Sequence, residues 1–162
     1  LICADIGAST GGFTEVLLKN KANKVYSIDV GKGQLDWKLV SNKKVIILDK
    51  TNAKYLNLEE VDQDIDLITC DVSFISITKA LSNIIKFNKE NLKLVALIKP
   101  QFELSREKIG KKGIVTDINF RLEAVDKVKH WLEENGWKTE GLIESPIKGN
   151  KGNIEYLIHS TK

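Results

Sequence analysis

Short apolar runs alternate along the chain with longer segments in which apolar residues recur every three or four positions. The first pattern predicts buried β-strands, and the second predicts amphipathic helices. Their alternation is typical of α/β domains in which helices cover both faces of a mostly parallel sheet. The predicted strands span residues 1–5, 24–29, 45–48, 65–71, 92–99, 139–145 and 154–159.

Helical spacing predicts four helices, at residues 13–20, 35–41, 77–87 and about 117–135, the last with Asp117 as its N-cap and Gly136 as its stop. The predicted buried stripe of this last helix consists of Leu122, Val125, Val128, Trp131 and Leu132. Residues 146–152 leave no room for a helix, so we expect the last two strands to form an antiparallel hairpin. This order of elements predicts the Rossmann-like, seven-stranded fold of S-adenosylmethionine-dependent methyltransferases.

The composition predicts one domain. The chain has 162 residues, of which 42% are hydrophobic, so residues 1–162 can form a single substantial core. No run approaches the roughly twenty apolar residues that span a bilayer, and no signal peptide opens the chain. We therefore expect a soluble, cytoplasmic domain without a membrane partner. Because Leu1 begins inside an apolar run and methionine is absent, we expect a longer protein around it.

Polar residues follow the carboxyl ends of five predicted strands. They are Asp5, Asp29, Asp49, Asp71 and Lys99. In open parallel sheets ligands bind at this edge, so we expect these side chains to converge on one site.

The segment 5–13 joins the first strand to the first helix through a glycine-rich turn that allows a ligand to approach the backbone. Its spacing is not the dinucleotide pattern, and no P-loop lysine follows it. A cofactor with a cationic amino-acid end would favour the acidic Asp5, although an ordinary strand-to-helix turn explains the loop about equally well. The loop residues predicted to bind the cofactor are Gly7, Ser9, Gly11, Gly12 and Phe13.

Two further aspartates are candidates for binding the nucleoside part of the cofactor. Asp29 ends the second strand, where a carboxylate can accept hydrogen bonds from both ribose hydroxyls. Asp49 could approach the adenine. Each aspartate also has a purely structural explanation. Asp29 could form a turn before Gly31, and Asp49 could cap a turn before Thr51.

Asp71, Lys99 and Glu155 are the candidate catalytic residues. A lysine at the mouth of a buried strand loses hydration, which favours a neutral amine that can act as a base. Asp71, which we also expect at the cofactor, and Glu155 could orient that group. A salt bridge at a strand end explains each residue alone, but three such residues at one pocket favour a catalytic site.

Six ordered blocks of the chain resemble the TlyA family, whose members are named haemolysins and ribosomal RNA methyltransferases and are grouped with the FtsJ-like 2'-O-methyltransferases. The blocks are DIGASTGGFT at 5–14, DVGKGQL at 29–35, DVSFIS at 71–76, KPQFE at 99–103, PIKG at 146–149 and GNIE at 152–155. The resemblance implies a Lys-Asp-Lys-Glu tetrad, of which Asp71, Lys99 and Glu155 match three members. The first lysine is implied upstream of the glycine loop, beyond an S4-like RNA-binding domain, and has no match in this chain.

The resemblance also implies the reaction. A ribose 2'-hydroxyl of ribosomal RNA, with cytidine expected, attacks the methyl group of S-adenosylmethionine while Lys99 helps to position and deprotonate it. We expect no metal, since His130 and His159 are the only histidines. Methylation of a base amine is disfavoured because residues 71–74 lack the prolines that usually accompany it. Methylation of a base carbon would need a nucleophilic cysteine, but Cys70 should face away from Asp71. We expect Cys70 and Cys3 to belong to the core.

The long segment 101–116 is the predicted RNA contact. Its basic residues and one from the last hairpin loop are Arg106, Lys108, Lys111, Lys112 and Lys148. They could hold phosphates, or they could be a solvated charged surface. The net charge of +3 does not decide between these explanations.

Three other functions are consistent with parts of the pattern. A non-catalytic RNA-binding module with this fold is conceivable because the first lysine has no match, but Asp71, Lys99 and Glu155 argue against it. A membrane-lytic haemolysin is disfavoured because the sequence contains no obvious basic amphipathic helix with a broad apolar face. A nicotinamide-dependent oxidoreductase is disfavoured by the glycine spacing.

Overall fold

Within residues 1–56, 59–61, 64–87 and 89–162, which the computed structural model describes, the chain forms a seven-stranded mixed sheet. The strands are β1 (Ile2–Ile6), β2 (Lys24–Ile28), β3 (Val45–Leu48), β4 (Leu67–Cys70), β5 (Lys93–Ile98), β6 (Lys138–Glu144) and β7 (Tyr156–Thr161). Their order across the sheet is β3-β2-β1-β4-β5-β7-β6. The first five are parallel, and β7 lies antiparallel between β5 and β6. The predicted fold and the closing hairpin are therefore confirmed.

Five α-helices and four short 3₁₀ turns connect the strands in the described ranges. The helices are α1 (Gly12–Lys19), α2 (Trp37–Val40), α3 (Ile77–Ala80), α4 (Pro100–Glu103) and α5 (Ile118–Glu134). The 3₁₀ turns are Ala53–Tyr55, Ile84–Lys86, Arg106–Lys108 and Asn150–Gly152. Asp117 caps α5 as predicted, since its carboxylate accepts a hydrogen bond from the backbone N–H of Asn119 at 2.8 Å.

The predicted helix 77–87 was wrong as one continuous element. It ends after one turn at Ala80 and resumes as the 3₁₀ turn Ile84–Lys86. At Ser82 the backbone N–H donates to the carbonyl of Lys79, three residues back, so the α-helical hydrogen-bond pattern tightens there. The apolar residues of the segment up to Ile85 are nevertheless buried, and Phe87 is partly buried, because both helix types return a side chain to the same face after three or four residues.

The long segment that follows Lys99 was also predicted incorrectly, as a loop throughout. It contains α4, which begins with Pro100 at its first position, where a missing N–H costs nothing. In α5, the buried residues are Ala124, Val125, Val128 and Leu132. Leu122 is 45% exposed and Trp131 is only partly buried, so the prediction that these two residues belong to the buried face of the helix is wrong for Leu122 and only partly right for Trp131.

The core lies on both faces of the sheet. The larger cluster packs under α3 and α5, and a smaller one, with Cys3 and Leu17, packs under α1. Cys3 and Cys70 are fully buried, which confirms them as core residues. Burial raises the pKa of the Cys3 thiol to about 11 and that of the Cys70 thiol still further, so neither is a ready nucleophile. None of the helices among the described residues has both the length and the apolar composition of a membrane span.

Candidate active site

The loop between β1 and α1 is held against the carboxyl ends of the neighbouring strands. The backbone N–H groups of Gly7 and Ala8 both donate to the carbonyl of Ile28, at 2.9 and 3.1 Å. Gly7 has a positive φ of 77°, and a Cβ atom there would lie 2.2 Å from the carbonyl oxygen of Asp71. Only glycine therefore lets the loop pack this closely against the segment that carries Asp71.

The structure corrects the role expected of Asp5. Its side chain is 1% exposed, and its two carboxylate oxygens accept hydrogen bonds from the hydroxyls of Thr14, at 2.7 Å, and Thr69, at 2.9 Å. Burial raises the pKa of this carboxyl, and the two hydrogen bonds partly oppose the rise. Asp5 therefore joins β1 to α1 and β4 beneath the loop instead of facing a cofactor.

Asp29 lies at an open cavity of about 470 Å³, here called the Asp29 cavity. Its polar lining includes Gly7, Ser9, Asp29, Gln34, Asp71 and Ser73. The Asp29 carboxylate accepts hydrogen bonds from the backbone N–H of Ser9 at 2.8 Å and of Gly31 at 2.7 Å. Each carboxylate oxygen can accept a second hydrogen bond, so the group is both fixed and able to bind a diol.

The remaining predicted cofactor residues have different surroundings. A Cβ atom at Gly11, where φ is 103°, would lie 2.1 Å from Leu39, so Gly11 serves packing against α2. Asp49 accepts a hydrogen bond from the backbone N–H of Gly33 at 2.9 Å and orders the turn after β2. Gly12 and Phe13 line a second cavity, next to the first.

Asp71 and Lys99 form an ion pair in this second cavity, which has a volume of about 550 Å³ and is called the Lys99 cavity. The Lys99 ammonium lies 2.6 Å from Oδ1 of Asp71 and also donates a hydrogen bond to the hydroxyl of Ser73 at 3.0 Å. The Lys99 side chain is only 14% exposed. The structure thus places the end of the Lys99 side chain between the Asp71 carboxylate and the Ser73 hydroxyl, at the carboxyl end of β5.

Glu155 completes the predicted catalytic set in the same cavity. It is 5% exposed, and its Oε1 accepts a hydrogen bond from the side-chain amide of Gln101 at 3.0 Å. Gly149 lies directly behind it, where a Cβ atom would come within 1.9 Å of the carboxylate. The fold thus brings together Asp71, Lys99 and Glu155 from three different strand ends.

Phe74 is a site residue that the sequence did not reveal. Its side chain is 87% exposed, its φ is 65°, and its ring centroid lies 5.0 Å from that of Phe102. It lines the Asp29 cavity, the Lys99 cavity and a third cavity of about 450 Å³. An exposed aromatic ring in an unfavourable backbone conformation is typical of functional sites. Phe74 belongs to the block DVSFIS, but an apolar residue is ordinarily expected to be buried, so the sequence gives no sign of its exposure.

The third cavity, called the Arg106 cavity, lies between the segment after α4 and the last hairpin loop. Arg106 and Lys111 line it, and Lys148 lines the neighbouring Lys99 cavity. Lys108 instead forms an ion pair with Glu123. Lys112 lines none of the three cavities, and its backbone carbonyl accepts a hydrogen bond from Lys151. Three of the five predicted RNA contacts are thus near the catalytic set.

Known proteins resemble this chain over nearly its whole length. The protein named 16S/23S rRNA (cytidine-2'-O)-methyltransferase TlyA from Mycobacterium tuberculosis is 41% identical over 156 residues, 96% of this chain and 58% of that protein. Hemolysin A from Brachyspira hyodysenteriae is 48% identical over 160 residues, 98% of this chain and 66% of that protein. The solved structure of a suspected hemolysin from Lactococcus lactis has a TM-score of 0.95 at 41% identity, and the match covers 99% of this chain and 77% of that one.

The chain thus spans about 58% of the length of the Mycobacterium relative. The resemblance to TlyA proteins that the sequence blocks indicated is confirmed by these matches. The FtsJ-like methyltransferase family matches residues 1–162. The chain belongs to the FtsJ-like methyltransferase family.

Proposed function

We propose that this chain is the catalytic domain of an S-adenosylmethionine-dependent methyltransferase that modifies a ribose 2'-hydroxyl of ribosomal RNA, at a cytidine. One observation carries the proposal. The segment from Asp71 to Phe74 forms a common wall of the Asp29 cavity and the Lys99 cavity. A cofactor held by Asp29 and a hydroxyl held near Lys99 would therefore meet at that wall. The name of the Mycobacterium relative supports the same substrate class.

The Asp29 cavity suits the nucleoside part of S-adenosylmethionine. Its volume falls within the range of small-molecule sites, and Asp29 keeps acceptor capacity for the two ribose hydroxyls beyond its bonds to Ser9 and Gly31. Apolar side chains such as Ile28, Val30 and Ala53 line the rest of the cavity and can contact a flat base. The cofactor, when bound, supplies a methyl group activated by a positively charged sulfur.

The chain's own contribution to the reaction is orientation of the hydroxyl. An ammonium has three N–H donors. Lys99 donates one hydrogen bond to Ser73 and lies 2.6 Å from a carboxylate oxygen of Asp71, which leaves donor capacity for a ribose oxygen entering the cavity. That hydrogen bond would align the oxygen and stabilise the negative charge that develops on it as it attacks, while the hydroxyl proton passes to water at the open mouth of the cavity. Positioning of this kind can supply much of the rate of a two-substrate reaction.

The proposed RNA surface surrounds this point. Proteins that modify a particular nucleotide commonly take its base out of the stack and place it on an aromatic side chain. Phe74 is the exposed ring at the junction of the three cavities. Arg106, Lys111 and Lys148 lie close enough to the same cavities to contact the neighbouring phosphates.

The proposal also includes what the resemblance implies outside these residues. A lysine upstream of the glycine loop would complete the catalytic tetrad, and an S4-like domain before it would add RNA contacts. Both can be tested by comparing the 162-residue chain with full-length protein in the assays below. We further propose that the protein works in the cytoplasm, where ribosomal RNA is found.

The first test is calorimetric titration of S-adenosylmethionine into the chain and into Asp29→Ala, with nicotinamide adenine dinucleotide as a control ligand. We expect saturable binding of S-adenosylmethionine that Asp29→Ala abolishes, and no binding of the dinucleotide. Transfer of a radiolabelled methyl group to ribosomal RNA, followed by nucleoside analysis, then identifies the modified position. Label on a base instead of a ribose, or no transfer by full-length protein that binds the cofactor, would reject the proposed reaction.

A further inference from the structure

The first turn after β5 connects three parts of the candidate active site. Lys99 contacts Asp71 and Ser73, as described above. Two residues later, Gln101 donates a hydrogen bond to Glu155. Glu103 is buried and accepts hydrogen bonds from the Ser76 hydroxyl at 2.6 Å and from the Ile77 backbone N–H at 2.8 Å. These residues belong to the block KPQFE at 99–103, of which the proposed reaction uses only the lysine.

Gln101 has an unusual environment for an amide. It is 9% exposed, its nitrogen donates to Oε1 of Glu155 at 3.0 Å, and its own oxygen is buried without a hydrogen-bond partner among the described residues. The orientation of the amide is therefore determined by Glu155, because the reverse orientation would place two oxygens against each other. A buried acceptor without a partner is rare in folded proteins and lowers their stability. An apolar residue of the same length would avoid that cost.

Glu155 depends on this contact for its own position. Gln101 is the one side-chain donor to its carboxylate within the described residues. The backbone at Gly149 approaches the same oxygen, Oε1, so closely that no Cβ atom would fit. The position of the carboxylate is thus limited by the Gly149 backbone and the Gln101 amide, in the same cavity as Lys99.

We propose that Gln101 is a positioning residue that acts through Glu155, holding its carboxylate in the orientation that the methyl-transfer site requires. The inference rests on the proposed function, because it assigns Gln101 a role in that reaction. It also explains why a glutamine with one unsatisfied oxygen occupies a buried position. Gln101 itself need not touch the substrate.

The test compares four forms of the full-length protein, namely wild type, Gln101→Met, Glu155→Ala and the double variant. Methionine has nearly the length of glutamine but donates no hydrogen bond. We expect Gln101→Met to lower kcat by about ten- to a hundredfold, the usual range for loss of a group that orients a catalytic residue. The KM for S-adenosylmethionine should stay within about twofold of wild type, since the cofactor cavity is not changed. In the Glu155→Ala background, Gln101→Met should have no further effect on kcat.

A destabilising control separates positioning from general loss of structure. Leu132 is fully buried in α5 and lines none of the three cavities, so Leu132→Ala should lower the Tm while kcat, measured well below that Tm, stays unchanged. Equal kcat in wild type and Gln101→Met would overturn the inference. So would a further drop in the double variant as large as that in the single one, because Gln101 would then act independently of Glu155.

A structural measurement distinguishes this inference from the proposed function. If wild-type protein transfers no methyl group, the proposed function fails, and the crystal structure of Gln101→Met still tests the positioning. A Glu155 carboxylate that leaves Gly149 in that variant supports it. A carboxylate that keeps its wild-type position without the amide overturns it.

Discussion

The side chains of Asp71 and Lys99 meet at 2.6 Å although they come from the ends of two separate strands. The strands β4 and β5 are parallel neighbours, with Cys70 paired to Ala96, so their carboxyl ends emerge at the same edge of the sheet. The hydroxyl of Ser73 completes the surroundings of the ammonium. Asp71 lines both the Asp29 cavity and the Lys99 cavity, so the pair lies where the two cavities adjoin.

Replacing Lys99 by methionine should strongly slow methyl transfer without abolishing cofactor binding. The variant keeps the length of the side chain but loses the donor that we assign to the ribose oxygen. We expect methyl transfer to fall by a factor of about 100 to 10,000, while the Kd for S-adenosylmethionine changes little. Lys129→Met is the matched control, since Lys129 lies on α5 and pairs only loosely with Glu133 at 4.0 Å. Loss of activity in both variants would argue against a specific role for Lys99.

Replacing Asp29 by asparagine should weaken cofactor binding. The variant preserves the shape of the side chain but replaces one carboxylate oxygen by a nitrogen that cannot accept a hydrogen bond. Because hydrogen bonds to charged groups are among the stronger ones, we expect the Kd for S-adenosylmethionine to rise about ten- to a hundredfold. Calorimetry measures the change, with the exposed Asp126→Asn as control. An unchanged Kd would place the ribose elsewhere.

Replacing Phe74 by alanine should weaken RNA binding and leave cofactor binding intact. Stacking of a base on an aromatic ring is worth about 1–3 kcal/mol, so the KM for RNA should rise by roughly five- to a hundredfold. Filter binding and steady-state kinetics on ribosomal RNA check this expectation. If the Kd for S-adenosylmethionine rises by a similar factor, the ring belongs to the cofactor site.

The backbone at Phe74 makes a separate prediction about stability. Its φ of 65° lies in the left-handed region, which glycine adopts without the steric cost that alanine retains. Both Phe74→Gly and Phe74→Ala remove the ring, so their difference reports the backbone alone. We expect the glycine variant to be more stable than the alanine variant by about 1 kcal/mol in denaturant unfolding. A less stable glycine variant would show that the conformation carries no strain.

Two aspartates should give opposite pH dependences of stability. Burial raises the pKa of Asp5 above its ordinary value of 3.8, so its native state holds the proton more tightly than the unfolded state. The stabilising contribution of Asp5 to the free energy of unfolding is complete below pH 3.8 and is lost as the pH rises through the raised pKa. The hydrogen bond from Lys89 and that from the Ile2 backbone lower the pKa of Asp66, whose contribution is present above its ordinary value and lost as the pH falls.

Urea unfolding of wild type, Asp5→Asn and Asp66→Asn across pH 3–7 tests these signs. Relative to Asp5→Asn, wild type should lose stability as the pH rises. Relative to Asp66→Asn, it should lose stability as the pH falls. Parallel curves for wild type and Asp5→Asn would mean that burial at Asp5 does not disfavour its charged form.

The strands, the long helix α5 and the edge of the sheet that carries the candidate site could be predicted from the sequence. Apolar periodicity reports which face of a segment is buried, and this property is local, so all seven strands and the long helix α5 could be located. The parallel arrangement then required Asp71 and Lys99 to meet, because neighbouring parallel strands end at one edge. Glu155 is a candidate from the residues as well, and the resemblance to a known family implies the same role for it.

The contacts that individual side chains make at that edge could not be predicted from the sequence, because they depend on the complete fold. Asp5 and Thr69 are 64 residues apart, and their hydrogen bond turns an expected cofactor contact into an internal support. Lys108 is engaged by Glu123 from another element, Phe74 is exposed, and Gln101 reaches Glu155 across 54 residues. The partner of a side chain in a hydrogen bond or an ion pair often lies far away in the sequence. Its identity therefore depends on the whole fold, and neighbouring residues in the sequence do not specify it.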